Sequence, residues 1–391
     1  MITKLHIRNF RSIKSADLDL GKITVLTGAN NSGKSSFIYG ILALKNIVTN
    51  PNQSIDNLLT LPFINLGGFE QTVFNKDEEL NIVLGVTIKK QFEVDYQIRI
   101  NPITSHVNLL IKEPTEKYDI DISFPYAANK YKNFHLTIAD NDVQLAWNGF
   151  TASVQELTPY LSLVLMPFQL PLNTFSDVDF VPIRRGFTKP FFGNVPLQSQ
   201  ISSEDEIATL LAIDRELSGK VAHYLEKIVD RSFSVYYTPG TANFYLQTRD
   251  KSTGFTSDLV NEGLGTNQLV TILAKVLQSR NKFICIDEPE IHLHPTIIDK
   301  LVSVLIEIAE QEDKQFLVST HSEHFITSLL ARVVKKEIKS EDVKVYYLTR
   351  DGKETQTELQ PINDNGQIEG GLKNFYASEL DNLKTLFKIT E

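Results

Sequence analysis

The stretch Gly28-Ala29-Asn30-Asn31-Ser32-Gly33-Lys34-Ser35 constrains this chain more than any other. It fits G-x-x-x-x-G-K-[ST] without a mismatch and follows the apolar run Ile23-Thr24-Val25-Leu26, where a strand would turn into a helix. A glycine-rich turn at a helix N-terminus aims several backbone N–H groups and the positive end of the helix dipole at one point, which suits a polyphosphate. The expected phosphate cradle is therefore Asn30, Asn31, Ser32, Gly33, Lys34, Ser35 and Ser36. Lys34 would reach the β and γ phosphates, and the Ser35 hydroxyl would ligate Mg²⁺.

Composition narrows the rest. A chain of 391 residues, 42% apolar and 22% charged, has ample material for a core. Its net charge of -9 argues against coating nucleic acid along the whole surface, so any DNA contact must come from a local patch. The basic clusters Arg184-Arg185 with Lys189, Lys130 with Lys132, and Lys335-Lys336 with Lys339 read as solvated surface runs. The single cysteine, Cys285, excludes an internal disulfide and a multi-cysteine zinc site, and its apolar surroundings make it a small buried hydrophobe. No stretch approaches 18 consecutive apolar residues and no signal-peptide core follows Met1, so the chain reads as cytoplasmic with no membrane partner.

Periodicity predicts a strand hairpin from Met1 to Leu20, a helix after Ser35 that stops at Asn50-Pro51, and an irregular stretch from 51 to 65. Alternation of period two over Leu80 to Ile88, Phe92 to Ile100, His106 to Ile111, Tyr118 to Phe124 and His135 to Ile138 predicts antiparallel sheet. The prolines at 159, 167, 171, 182, 190 and 196 predict loops and short elements. A capping-box start at Ser203 with helical spacing to Ile228 predicts one or two helices, and strands return near Ser232, Asn243 and Phe255.

The run Lys282-Phe283-Ile284-Cys285-Ile286-Asp287-Glu288-Pro289-Glu290 is an apolar strand that ends in acids. In this Walker B form Asp287 would sit near Mg²⁺ and Glu288 would polarise an attacking water. A second apolar strand, Gln315 to Thr320, ends at His321-Ser322. His292 and His294, two residues apart with no third or fourth ligand in view, read as loop structure rather than a metal site. Beyond them the spacing predicts a helix to about Val334, strands at Val343 to Leu348 and Glu354 to Leu359, and a helix from Leu372 to Phe387, on which Glu379 and Asp381 read as an exposed face.

Ile7-Arg8-Asn9-Phe10-Arg11-Ser12-Ile13 resembles the start of the ATPase heads of the Rad50, SMC and RecF group. Glu288-Pro289-Glu290-x-His292-Leu293-His294-Pro295 with Ser319-Thr320-His321-Ser322 resembles the small AAA-labelled ABC ATPases related to the overcoming-lysogenisation-defect (OLD) family. These resemblances imply an α/β P-loop NTPase of the ABC-ATPase head type, a mixed sheet core with an antiparallel β subdomain and a β-rich and helical insertion. They also imply nucleotide contacts at Arg11 and Ser12, a Mg²⁺ and water sensor at Gln71, and a γ-phosphate switch at His321. A signature loop at Asn261, Gly263 and Gly265 would serve the nucleotide of a second copy; Asn261 stands where such heads carry serine.

The implied divisions are 1–75, an ATPase lobe with Walker A; 76–255, the insertion; 256–350, a lobe with signature loop, Walker B and switch histidine; and 351–391, a C-terminal strand and helix extension. The one or two helices expected over 203–230 are far too short for an SMC coiled coil, with no heptad run or Cys-x-x-Cys hook, and the 70 residues after His321 are too few for the Toprim nuclease domain of the OLD family proper. Expected cofactors are ATP and Mg²⁺. The expected assembly is a homodimer or higher oligomer of heads with a separately encoded effector, a nuclease or toxin, in anti-phage defence. The alternatives are a RecF/Rad50-like head that closes on DNA, and a nucleotide-gated scaffold with little hydrolysis.

Overall fold

The computed structural model describes residues 1–112, 115–127, 130–138, 141–154, 159–198 and 200–368. The helix expected at Leu372 to Phe387, with Glu379 and Asp381, lies outside the described residues.

The run Ile23-Thr24-Val25-Leu26 enters the middle of a six-stranded sheet. In spatial order its strands are Val178–Val181, Phe283–Asp287, Gln315–Thr320, Ile23–Gly28, Val343–Asp351 and Glu354–Gln360. The first five are parallel and the last folds back antiparallel on its neighbour. Successive side chains of a strand point to opposite faces, and here they feed two separate cores. Leu26, Phe283, Cys285, Leu317, Tyr346 and Leu348 belong to one. Ile23, Val25, Ile284, Ile286, Phe316, Val318, Val343 and Val345 belong to the other. Burial on both faces is why the central strands Phe283–Asp287, Gln315–Thr320 and Ile23–Gly28 are mostly apolar, and it accounts for the fully buried Cys285.

On the first face lies the helix Lys34–Thr49, buried along nearly all its length. Beyond it stands an antiparallel sheet of Ile13–Asp19, Ile2–Phe10, Ile82–Lys89, Glu93–Ile100, Ser105–Ile111 and Glu116–Ile122. Gly40 permits the close approach, since a Cβ there would stand 2.7 Å from Ile7 Cδ1. The second face is covered by Arg215–Val229, Leu264–Val276, Pro295–Glu312 and Glu323–Val334, whose apolar sides share its core. The capping box at Ser203 and Glu206 starts Glu204–Ile213 as expected.

Two expectations change. The proline-rich stretch holds an 18-residue helix, Pro159–Ser176, with Pro167 and Pro171 inside it. Leu165, Phe168, Leu170 and Phe175 are buried from this helix, which packs on Lys34–Thr49, and that burial outweighs the two missing N–H donors. The antiparallel strands also continue past Ile138: Lys132–Ile138 pairs with Asn141–Trp147, which pairs with Ala152–Val154. Among the described residues no helix is long and apolar enough to cross a membrane.

Candidate functional site

Three adjacent parallel strands release their ends at one edge of the central sheet. Asp287 stands opposite Ser319, and Thr320 opposite Thr27, so the residues that follow emerge side by side. Sheet order thus gathers Gly28 to Ser35, Glu288 and His321 at the carboxyl edge, the usual place for a ligand in an open α/β sheet.

The loop's conformation explains its glycines. Gly28 has φ 142°, and a Cβ there would lie 2.1 Å from the Leu348 carbonyl oxygen. Gly33, at φ 103°, precedes the helix, and its Cβ would meet Thr355 Oγ1 at 2.3 Å. Gly33→Ala is therefore expected to cost about 1–3 kcal/mol, read as a lower thermal midpoint of the full chain. Lys34 curls back inside the loop, and its Nζ donates to the carbonyls of Gly28 and Ala29 at 3.0 and 2.9 Å. Burial lowers the pKa of this ammonium, with Glu288, Asp287 and Glu290 opposing the shift. Among the described residues the buried Ser32 hydroxyl has no partner, a polar orphan inside a phosphate-type cradle.

The acids are held by their neighbours. Asp287 is buried, and its Oδ1 accepts from Ser319 Oγ. Burial raises the Asp287 pKa and the Ser319 hydrogen bond opposes it. Glu288 sits at φ 46°, its N–H donating to the Ser319 carbonyl at 2.9 Å. Its Oε1 lies 3.2 Å from His321 Nε2. Burial raises the Glu288 pKa too, against the opposing field of His321. Glu290 Oε1 accepts from Thr320 Oγ1 at 2.7 Å and from the His321 N–H at 2.8 Å, which fixes the strand end that carries the histidine.

Arg185 overturns its reading as part of a solvated basic run. Its guanidinium is tucked under the acidic turn, donating to the Pro182, Asp287 and Glu288 carbonyls at 3.0, 2.8 and 2.7 Å. Burial pushes its pKa down to about 10. Arg185→Met would leave these carbonyls without their donors, and a loss of about 2–3 kcal/mol in denaturant unfolding is expected.

These groups face a cleft of about 830 Å³. Of the residues expected from sequence, Arg11, Ser12, Asn30, Asn31, Gly33, Lys34, Ser35, Ser36, Gln71, Glu288 and His321 line it. Ser32 and Asp287 lie buried beneath them. Arg11 donates from Nε to Ser36 Oγ at 3.2 Å and sits 5.4 Å from the Tyr39 ring centroid. Asn261, Gly263 and Gly265 do not join the cleft of their own chain. Asn261 borders a separate groove with Arg231, Gln247 and Asp258. A Cβ on Gly265 would lie 2.8 Å from the His292 carbonyl oxygen. His294 caps the helix Pro295–Glu312 through Nδ1, the loop role expected of it. Among the described residues no group of three or more His, Cys, Asp and Glu could hold a metal ion. A Mg²⁺ carried on substrate phosphates needs only one or two protein ligands, and Ser35 with Asp287 fits that donor set.

Sequence reasoning missed Lys76, Arg350 and Lys353, which also line the cleft, as well as the supporting Glu290 and Arg185. The fold is a P-loop ATPase fold similar to that of SMC heads. The chain belongs to the AAA-domain family described as "AAA domain, putative AbiEii toxin, Type IV TA system", whose profile matches residues 23–327. No curated protein matches it. Among solved structures, an SmcHead bound to the C-winged helix domain of ScpA is similar, with 13% identity, a TM-score of 0.50 and coverage of 93% of this chain and 98% of that one. The SMC head domain from Thermotoga maritima is 12% identical, with a TM-score of 0.46 and coverage of 93% and 99%. An Smc head domain with an extended coiled coil, bound to the C-terminal domain of ScpA derived from Pyrococcus furiosus, is 10% identical, with a TM-score of 0.46 and coverage of 92% and 96%. At such identity the likeness is one of fold.

Proposed function

We propose that this chain binds MgATP in the cleft, hydrolyses it, and uses ATP-dependent pairing of two heads to regulate a separately encoded effector in anti-phage defence. The observation that carries the reading is the meeting of Lys34, Glu288 and His321 in one cleft although they lie far apart in sequence. Lys34 and the loop N–H groups would neutralise the β and γ phosphates, while Arg11 and Ser12 flank them. Ser35 and Asp287 would hold Mg²⁺ with Gln71 near it; the ion, when bound, supplies charge neutralisation on the phosphate oxygens.

Glu288 then acts as general base. Burial raises its pKa, and His321 Nε2 lies 3.2 Å from its carboxylate, an arrangement that would let Glu288 take a proton from a water attacking the γ phosphorus. Asn261, Gly263 and Gly265 do not line their own cleft, and Asn261 borders a separate groove, which suits service to the nucleotide of a second copy. The effector role draws on the family's toxin–antitoxin description and on the OLD-like pattern from Glu288 to His321.

The test is phosphate release from ATP by the full chain, with light scattering run in parallel. Turnover and an ATP-dependent rise in mass are expected with Mg²⁺, and both should vanish in excess EDTA. Turnover undiminished by EDTA would contradict the assignment of Ser35 and Asp287 to the metal.

A further inference from the structure

The hairpin Val343–Asp351 and Glu354–Gln360 lies beyond the residues matched by the family profile, yet it is built into the loop wall. Val343 to Leu348 pair in parallel with Ile23 to Gly28. At the turn, the buried Thr355 donates its N–H to the Ser12 carbonyl and its hydroxyl to Ser12 Oγ, both at 2.8 Å. The same Thr355 fills the space that a side chain on Gly33 would occupy. The hairpin tip is thus tied to the phosphate loop and to the Arg11-Ser12 turn.

Two cations project from this tip. Arg350 Nη1 lies 3.5 Å from the Asn31 carbonyl oxygen, and Lys353 Nζ donates to Asn75 Oδ1 at 2.6 Å. Asn75 and its neighbour Lys76 both have positive φ, 57° and 58°, a pairing uncommon outside glycine. That backbone holds the Asn75 amide toward Lys353 and keeps Lys76 on the cleft wall. Among the described residues none of Lys76, Arg350 and Lys353 has a carboxylate within ion-pair distance. Three cations without a carboxylate partner on one wall, in a chain of net charge -9, give that wall a local positive field that favours an anion.

Their side of the cleft identifies which part of the ligand they meet. Glu288 and His321 leave strands on one flank of the loop strand, and the hairpin forms the other flank. A triphosphate that lies across the loop with its γ end against Glu288 and His321 would run its α phosphate and ribose toward the hairpin. We propose that Arg350 and Lys353, with Lys76 beside them, form a second cationic clamp on the α and β phosphates and ribose of the bound nucleotide. The clamp rests on the nucleotide reading of the cleft given above.

The test is equilibrium titration of the full chain with Mg·ATP and Mg·ADP. Arg350 and Lys353 are exposed, so substitution leaves the core intact. Arg350→Gln combined with Lys353→Gln is expected to weaken ATP and ADP by a similar factor, about tenfold or more, at an unchanged thermal midpoint. Lys353→Arg, which keeps the charge, is expected to retain most of the affinity. Unaltered affinity in the double variant, or a loss confined to ATP, would overturn the clamp. A native chain that binds neither nucleotide would instead overturn the nucleotide reading and the clamp with it.

Discussion

Lys34→Ala is expected to bind ATP at least about a hundredfold more weakly than the native chain in equilibrium titration, with phosphate release falling to background. Lys34 is buried within its loop, and its Nζ already hydrogen-bonds two loop carbonyls. Its charge is therefore fixed at the point where the β and γ phosphates would sit, and little side-chain entropy is lost when they arrive. One charge-assisted contact of this kind contributes about 3 kcal/mol, and a hundredfold change in affinity corresponds to about that amount. The fold should survive, because Ala is a good helix former at the first position of Lys34–Thr49. Retention of native affinity would remove the lysine loop from the site.

Glu288→Gln is expected to do the opposite: binding is kept and turnover falls by about a hundredfold or more. The amide matches the carboxylate in shape but cannot accept a proton from water. Its Oε1 can still meet His321, so the local geometry at the end of Phe283–Asp287 should persist. With hydrolysis blocked, the paired state should accumulate, seen as a stable doubling of mass in light scattering with MgATP. A variant that hydrolyses ATP at the native rate would take the general base away from Glu288.

The parts of the site that were legible in the sequence are those whose local conformation demands particular residues. Gly28 and Gly33 carry backbone angles and close contacts that side chains cannot share, so the lysine loop announces itself. Asp287 and Glu288 stand out because a fully buried strand needs an apolar run before its polar end. Arg185 was illegible for a different reason. Its partners are backbone carbonyls of Asp287 and Glu288, which carry no side-chain signal, and only the pairing of Val178–Val181 with Phe283–Asp287 brings them together.

Arg350 and Lys353 likewise join the cleft through the pairing of Val343–Asp351 with the loop strand, a long-range event. The helix Pro159–Ser176 was hidden by local chemistry that tertiary packing overrides: two prolines argue for loop, while Phe168 and Phe175 are anchored in the core. The strands past Ile138 escaped notice because Asn141–Trp147 mixes polar and small residues, and only Leu145 and Trp147 mark its buried side.

The most direct measurement is a crystal structure of the Glu288→Gln chain grown with ATP and Mg²⁺. A triphosphate is expected inside the Gly28 to Ser35 loop, with its γ phosphate between Lys34 and His321 and a metal between Ser35 and Asp287. Asn261 to Gly265 of a second copy should close over that phosphate. Nucleotide bound elsewhere on the chain, or a cleft that stays free of nucleotide at saturating ATP, would contradict the assignment of this site.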